Sequence, residues 1–198
     1  MAFTADAESD TLPRPMKFPL AKFDDEKQGV LTGDEGRAAW DEISRQLPEP
    51  GEGTAVELDF AGVRAITVPF VEEFLVRLLS DWVTGYHEDL PLLLTNATED
   101  VRRTVEVALT PRKLAILSTG TGMPRLLGGD QTLKETAGSV AQLDDAFTAA
   151  QLAEQLDLTV QAANNRLRSL MRSGVVARVQ AAPSRGGREF HYRTAARR

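Results

Sequence analysis

The sequence predicts an α/β domain followed by a small basic unit of helix, short turn, helix and β-hairpin, and three observations predict it. Between Phe18 and Leu117 short apolar runs of strand length alternate with amphipathic runs of helical period, the pattern of a sheet with helices packed on it. From Thr148 two capped helical runs are followed by a glycine stop and two β-rich runs. The charge changes sign at the same place. Residues 1–147 hold 14 Lys+Arg against 26 Asp+Glu, net −12, and residues 148–198 hold 9 arginines against Glu154, Asp157 and Glu189, net +6.

Composition removes several function classes. With 198 residues, 42% hydrophobic and 26% charged, the chain can bury a core. It has no cysteine, and its only histidines are His87 and His191, so thiolate metal sites, iron–sulfur ligation and thiol nucleophiles lack their parts. No metal, cofactor or catalytic residue is expected. Residues 1–15 are acidic, with neither a basic n-region nor an apolar h-region, and no apolar run reaches the length of about 18 residues that a membrane span needs. The expectation is a cytoplasmic protein without membrane contact: a disordered acidic start at 1–15, an α/β domain at 16–117, a linker at 118–132 and a basic domain at 133–198.

The elements follow in order. Phe18–Phe23 and Gly29–Thr32, with polar residues between, read as a hairpin. GRAAWDEISRQL places Ala39, Ile43 and Leu47 at intervals of four, with Asp34 and Glu35 where a helix start favours carboxylates. Thr54–Phe60 is a strand. Val68–Val83 is a helix with Pro69 in its first turn and a buried stripe of Phe70, Phe74, Leu75, Leu78 and Trp82. Leu90–Thr95 is a strand apolar on both faces, Asn96 with Glu99 fits a cap for the helix that follows, and Lys113–Leu117 closes the series. Gly120, Gly122, Gly128 and Gly129 with Pro124 mark 118–132 as a flexible connection. No lysine stands where a phosphate-binding loop would need it.

The stretch LDFAGVRAITVPFVEEFLVRLL, Leu58–Leu79, resembles the central strand, turn and helix of STAS domains, the fold of anti-sigma-factor antagonists, and the STAS-like pattern LDFxGVxxITxxFxxEL within them. The resemblance spans Met16–Leu117 and implies an interaction or ligand-sensing scaffold that binds a regulatory protein or a small ligand. In phosphoregulated members the corresponding turn carries a phosphorylated serine. Thr67, Val68, Pro69 and Phe70 stand there in this sequence, so that acceptor is missing, and Thr67 reads as the cap of the helix. Asp59, near a strand end with no paired acid, metal ligand or histidine, reads as structural.

In the basic part, Leu133, Val140 and Leu143 line one side of a helix interrupted by Gly138. Thr148 and Gln151 form a capping-box signal for AAQLAEQL, Asp157–Thr159 is a tight turn, and Thr159 caps Val160–Ser173, which stops at Gly174. At 100° per residue Val160, Ala163, Leu167 and Leu170 share the packed side, and Gln161, Asn165, Arg168 and Arg172 lie opposite, with Asn164 and Arg166 at the margin. Gln and Asn can bind an adenine edge through two hydrogen bonds, Arg a guanine edge, and a helix fits the major groove. VVARVQ and REFHYR make a hairpin whose tip holds Arg185 and Arg188 beside phosphates, with Phe190 and Tyr192 facing the core and His191 an ordinary strand residue. The segment Thr148–Thr194 resembles the winged helix-turn-helix of bacterial transcription regulators. The resemblance implies double-stranded DNA as partner, a homodimer, and DNA contacts from Thr159, Gln161, Asn164, Asn165, Arg168, Arg172, Arg185 and Arg188. The other reading open to the sequence is a protein-interaction adaptor in a partner-switching circuit.

Overall fold

In the computed structural model, which describes residues 15–25, 28–47, 55–84, 90–120, 124–144, 146–179 and 190–195, three successive strands are apolar on both faces. They are β5 (Leu92–Thr95), β6 (Ala115–Thr119) and β7 (Arg125–Gly128). They belong to a five-strand sheet with β1 (Met16–Pro19) and β3 (Val56–Asp59), in the order β1-β3-β5-β6-β7, parallel except for β7 against β6. Alternation along the strands sends Leu92, Leu94, Ile116 and Leu127 into one core and Leu93, Ala115, Leu117 and Leu126 into another.

The first core is closed by helices α1 (Gly33–Ile43) and α2 (Val68–Val71), which runs through a π-helical turn (Glu72–Val76) into α3 (Arg77–Val83), and by α4 (Glu99–Leu109). Phe70, Phe74, Leu75, Leu78 and Trp82 are all buried as their spacing predicts, and Trp82 Nε1 donates to Leu90 O at 2.9 Å. Truncating such a fully buried aromatic to alanine costs about 3–5 kcal/mol. Thr67 caps α2, its Oγ1 accepting from Phe70 N at 3.3 Å. Glu35 accepts from Thr32 N at 2.8 Å, and the Thr32 hydroxyl beside it holds the Glu35 carboxyl below its ordinary pKa at the start of α1.

The second core is built by α5 (Gln131–Val140), β8 (Phe147–Thr148), α6 (Ala149–Leu156), α7 (Val160–Arg172), β9 (Val176–Val179) and β10 (His191–Thr194). The three strands form a small antiparallel sheet, β8-β10-β9. Its buried residues, among them Phe147, Leu152, Leu167, Leu170, Met171 and Tyr192, are continuous with the second face of the five-strand sheet.

Several expectations change. The hairpin is absent: β1 pairs in parallel with β3 (Phe18 opposite Leu58), and β2 (Val30–Leu31) pairs in parallel with β4 (Ala65–Ile66). Between them Leu20–Phe23 forms a 3-10 turn that buries Leu20, and Asp24 accepts from the backbone of Gln28 and Gly29, closing a loop in place of a strand turn. Thr98, not Asn96, caps α4, accepting from Val101 N at 3.2 Å. The segment 118–132 is no open linker, since it holds the end of β6, all of β7 and the start of α5. Its glycine Gly128 (φ +79°) sits where a Cβ would lie 2.3 Å from Leu114 O, so it serves close packing and not flexibility. α5 passes through Gly138 without interruption. Val160 is 49% and Phe190 46% exposed, so neither joins the core.

Gly174 ends α7 at φ +65°, its carbonyl accepts from Leu92 N at 3.0 Å, and a Cβ there would stand 2.7 Å from that nitrogen. Gly138, in mid-helix, is the opposite case, with nothing within 4 Å of a Cβ. Urea unfolding is expected to show Gly174→Ala destabilised by more than the roughly 1–2 kcal/mol of left-handed backbone alone. Gly138→Ala is expected to gain about 0.5–1 kcal/mol.

Candidate nucleic-acid interface

Two capped helices position the surface predicted to touch DNA. Thr148 Oγ1 accepts from Gln151 N at 3.3 Å while Gln151 Oε1 accepts from Thr148 N at 2.8 Å, the reciprocal box expected from the sequence. α6 ends on Asp157 in the left-handed region (φ +52°), with Leu158 N bonded to Ala153 O at 2.8 Å. Two residues later Thr159 Oγ1 accepts from Ala162 N at 3.2 Å and starts α7. Thr159 is thus occupied as a cap, although its side chain is exposed.

α7 buries Ala163, Leu167, Leu170 and Met171 and exposes Gln161, Asn165, Arg168 and Arg172. The four polar residues occupy one arc opposite the buried one, and Gln161 Nε2 meets Asn165 Oδ1 at 3.4 Å. Among the described residues Arg168 and Arg172 have no ion pair, whereas Arg37, Arg77, Arg112 and Arg125 each meet a carboxylate. Asn164 is half-buried at the margin. Arg166 turns toward α5, its Nη1 donating to Thr136 Oγ1 at 3.4 Å, and so anchors the helix. Arg185 and Arg188 lie outside the described residues.

Beside this arc runs a groove of about 240 Å3 whose lining includes Lys113, Arg166, Ser169 and Arg172, with Asp130 among them. Lys113 escapes a sequence reading because it is 59 positions from Arg172 and shares a groove with it only through the docking of the two cores. Arg178, exposed on β9, lies over the Phe190 ring at 4.6 Å. That contact uses the ring which the alternation of β10 assigned to the core. Tyr192 is buried as expected and packs 6.0 Å from Phe147. His191 is half-buried in β10, and among the described residues no group of His, Asp and Glu could hold a metal ion. No described helix is long and apolar enough to cross a membrane.

At the other end of the five-strand sheet Asp59 is 5% exposed and accepts from Lys17 Nζ (2.8 Å), Asn96 Nδ2 (2.7 Å) and Ala61 N (3.0 Å). Asn96 adopts φ +55° to reach it. The carboxylate thereby ties Lys17 of β1 to the C-terminal ends of β3 and β5, which is structural work.

Compared with protein-family models, with curated proteins and with solved structures, the chain matches no family model, no curated protein and no solved structure. The class defined here is therefore architectural: a mixed α/β sheet carrying a small antiparallel unit with an arginine-bearing helix.

Burial pushes the Asp59 carboxyl up, and its hydrogen bonds from Lys17, Asn96 and Ala61 outweigh that and hold it below the ordinary 3.8. A folded-state value below the unfolded one means stability that is present in full above the unfolded pKa and lost as pH falls through the folded one. Asp59→Asn is expected to cost about 1–3 kcal/mol at pH 7. The difference should shrink as the pH of a denaturant titration is lowered below about 4.

Proposed function

We propose that the chain is a DNA-binding transcriptional regulator. In this reading α6, α7 and the three-strand sheet act as a winged helix-turn-helix, and the five-strand sheet with its helices acts as a STAS-like interaction or sensing scaffold. The observation that carries the reading is the exposed arc of α7, whose two arginines have no ion pair among the described residues. Arg77 and Arg112 each meet a carboxylate, whereas Arg168 and Arg172, like Arg103, have no ion pair among the described residues. On α7 two stay unmatched beside two amides whose hydrogen-bonding groups suit base edges. Lys113 and Arg166 extend the positive surface along the adjoining groove, a place for backbone phosphates.

The roles divide accordingly. Gln161, Asn165 and Arg168 face bases, Arg172 with Lys113 faces phosphate, and Arg185 and Arg188 belong to the wing of the same reading. A single recognition helix covers few base pairs, so the regulator acts as a homodimer on a two-fold site. The net charge of −6 opposes DNA little at physiological salt, because repulsion beyond a Debye length of about 8–10 Å is largely screened.

Fluorescence anisotropy of the full chain with a random 30-base-pair duplex tests this. Affinity is expected to fall steeply between about 50 and 200 mM salt. Arg168→Ala/Arg172→Ala, both exposed positions, should abolish the binding and leave the unfolding midpoint unchanged. Absence of binding at the lower salt would reject the regulator and turn the same surface over to a protein partner.

A further inference from the structure

The second core encloses a groove that nothing in the DNA-binding reading uses. It has a volume of about 590 Å3, within the range of small-molecule sites. Its floor is Leu117 and Leu126 from the five-strand sheet and Val175 and Thr194 from the C-terminal unit, and one wall is the α5 face of Ala137, Gly138 and Ala141. Arg125, Lys134 and Glu106 stand at its polar rim.

Two observations point to an occupant. The first is Gly138. Glycine in a helix interior costs about 1 kcal/mol relative to alanine, and here no neighbour excludes a side chain, since a Cβ would meet nothing within 4 Å. Its backbone is not in the left-handed region either. Gly138 and Ala141 are exposed, and the short side chains of this wall leave space that no described residue fills.

The second is the set of spare hydrogen-bond donors at the rim, whose two cations each already meet one carboxylate. Glu106 is already committed, with Oε1 to Lys134 Nζ at 2.5 Å and Oε2 to Gly128 N at 2.9 Å. Arg125 is half exposed and spends only Nη1 on Glu99, at 3.3 Å. Donors on Arg125 and Lys134 therefore exceed the acceptors facing them. An apolar trough ending in unspent cationic donors complements a molecule with an apolar body and one negative end.

The geometry points to this groove as a binding site for a small apolar carboxylate, with the carboxylate on Arg125 and Lys134 and the hydrocarbon over Leu117, Leu126 and Val175. The site is a regulatory one for the regulator proposed above. Its binding claim is independent of DNA, and only its effect on DNA rests on that reading. Val175 follows Gly174, which ends α7 and holds Leu92, so a bound molecule touches the chain next to the end of the arginine helix.

Isothermal titration calorimetry of the full chain with decanoate tests the site, with decanol as the uncharged arm. Decanoate is expected to bind, and Arg125→Gln to weaken it about tenfold. Decanol should bind more weakly than decanoate and be unaffected by Arg125→Gln. Gly138→Phe should fill the groove and weaken both ligands at least tenfold. Ala141→Phe, one turn further along the same wall, serves if the first variant does not fold. No heat from decanoate up to about 1 mM, equal loss of both ligands in Arg125→Gln, or full affinity in a folded filling variant would overturn the proposal. A second arm repeats the anisotropy measurement at saturating decanoate, where the DNA midpoint should shift at least threefold. Decanoate binding without DNA binding keeps the site and removes the regulator. DNA binding without decanoate binding does the reverse.

Discussion

Leu93, Ala115, Leu117 and Leu126 make the second face of the five-strand sheet apolar, and that face has to be taken out of water. Each leucine so buried contributes about 1.5–3 kcal/mol. A longer connecting loop adds only about 0.6 kcal/mol of closure entropy per doubling of its length. The apolar term wins, so the basic C-terminal residues are docked on the sheet and do not swing from a tether. The cover is supplied by the same core that holds α6 against α7, and Phe147, Leu167, Leu170 and Met171 belong to one cluster with the sheet leucines. What looks like two domains of opposite charge is joined through an uncharged contact.

Docking also decides what the arginines can do. α7 has one buried arc, and a helix packed by Ala163, Leu167, Leu170 and Met171 must present Gln161, Asn165, Arg168 and Arg172 outward. Part of the negative charge of the first 147 residues is met by its own cations, as in Lys22 with Glu42, Arg112 with Glu72 and Lys134 with Glu106. Among the described residues no carboxylate forms an ion pair with Arg168 or Arg172, although Asp130 lines the same groove as Arg172. A helix fixed on a sheet in this way presents its polar arc in one orientation, as the proposed reading of base edges would require.

The local signals were legible where they rest on a few neighbouring residues. The cap at Thr67, the box of Thr148 and Gln151, the cap at Thr159 and the stop at Gly174 all follow from side chains within one turn of the feature. The buried stripe from Phe70 to Trp82 was equally plain. Pairing was not legible, because alternation says which face a residue occupies and not which strand lies beside it. Phe18 faces the core whether β1 pairs with β2 or with β3. The glycines of 118–132 misled for a related reason: glycine serves close approach as well as freedom, and Gly128 is needed for Leu114 to come near. In the candidate interface the α7 arc could be placed from 100° steps alone, but Lys113 in the groove, and Arg178 over Phe190, depend on packing between separate segments.

The groove beside α5 follows from the same two-sided sheet. Its floor takes Leu117 and Leu126 from one unit and Val175 and Thr194 from the other, so it exists in this form only while the two are docked. A molecule bound there stabilises the docked arrangement by RT ln(1 + [L]/Kd), about 2.7 kcal/mol at a hundredfold excess over Kd. It can act on DNA binding only to the extent that DNA prefers one placement of α7 over another, since equal affinity for both placements shifts nothing. The chain from Arg172 through Gly174 to Val175 is where the two preferences meet. Gly174 is held to Leu92 by the hydrogen bond from Leu92 N to its carbonyl at 3.0 Å, so a shift in Val175 is passed along the chain to the end of the helix.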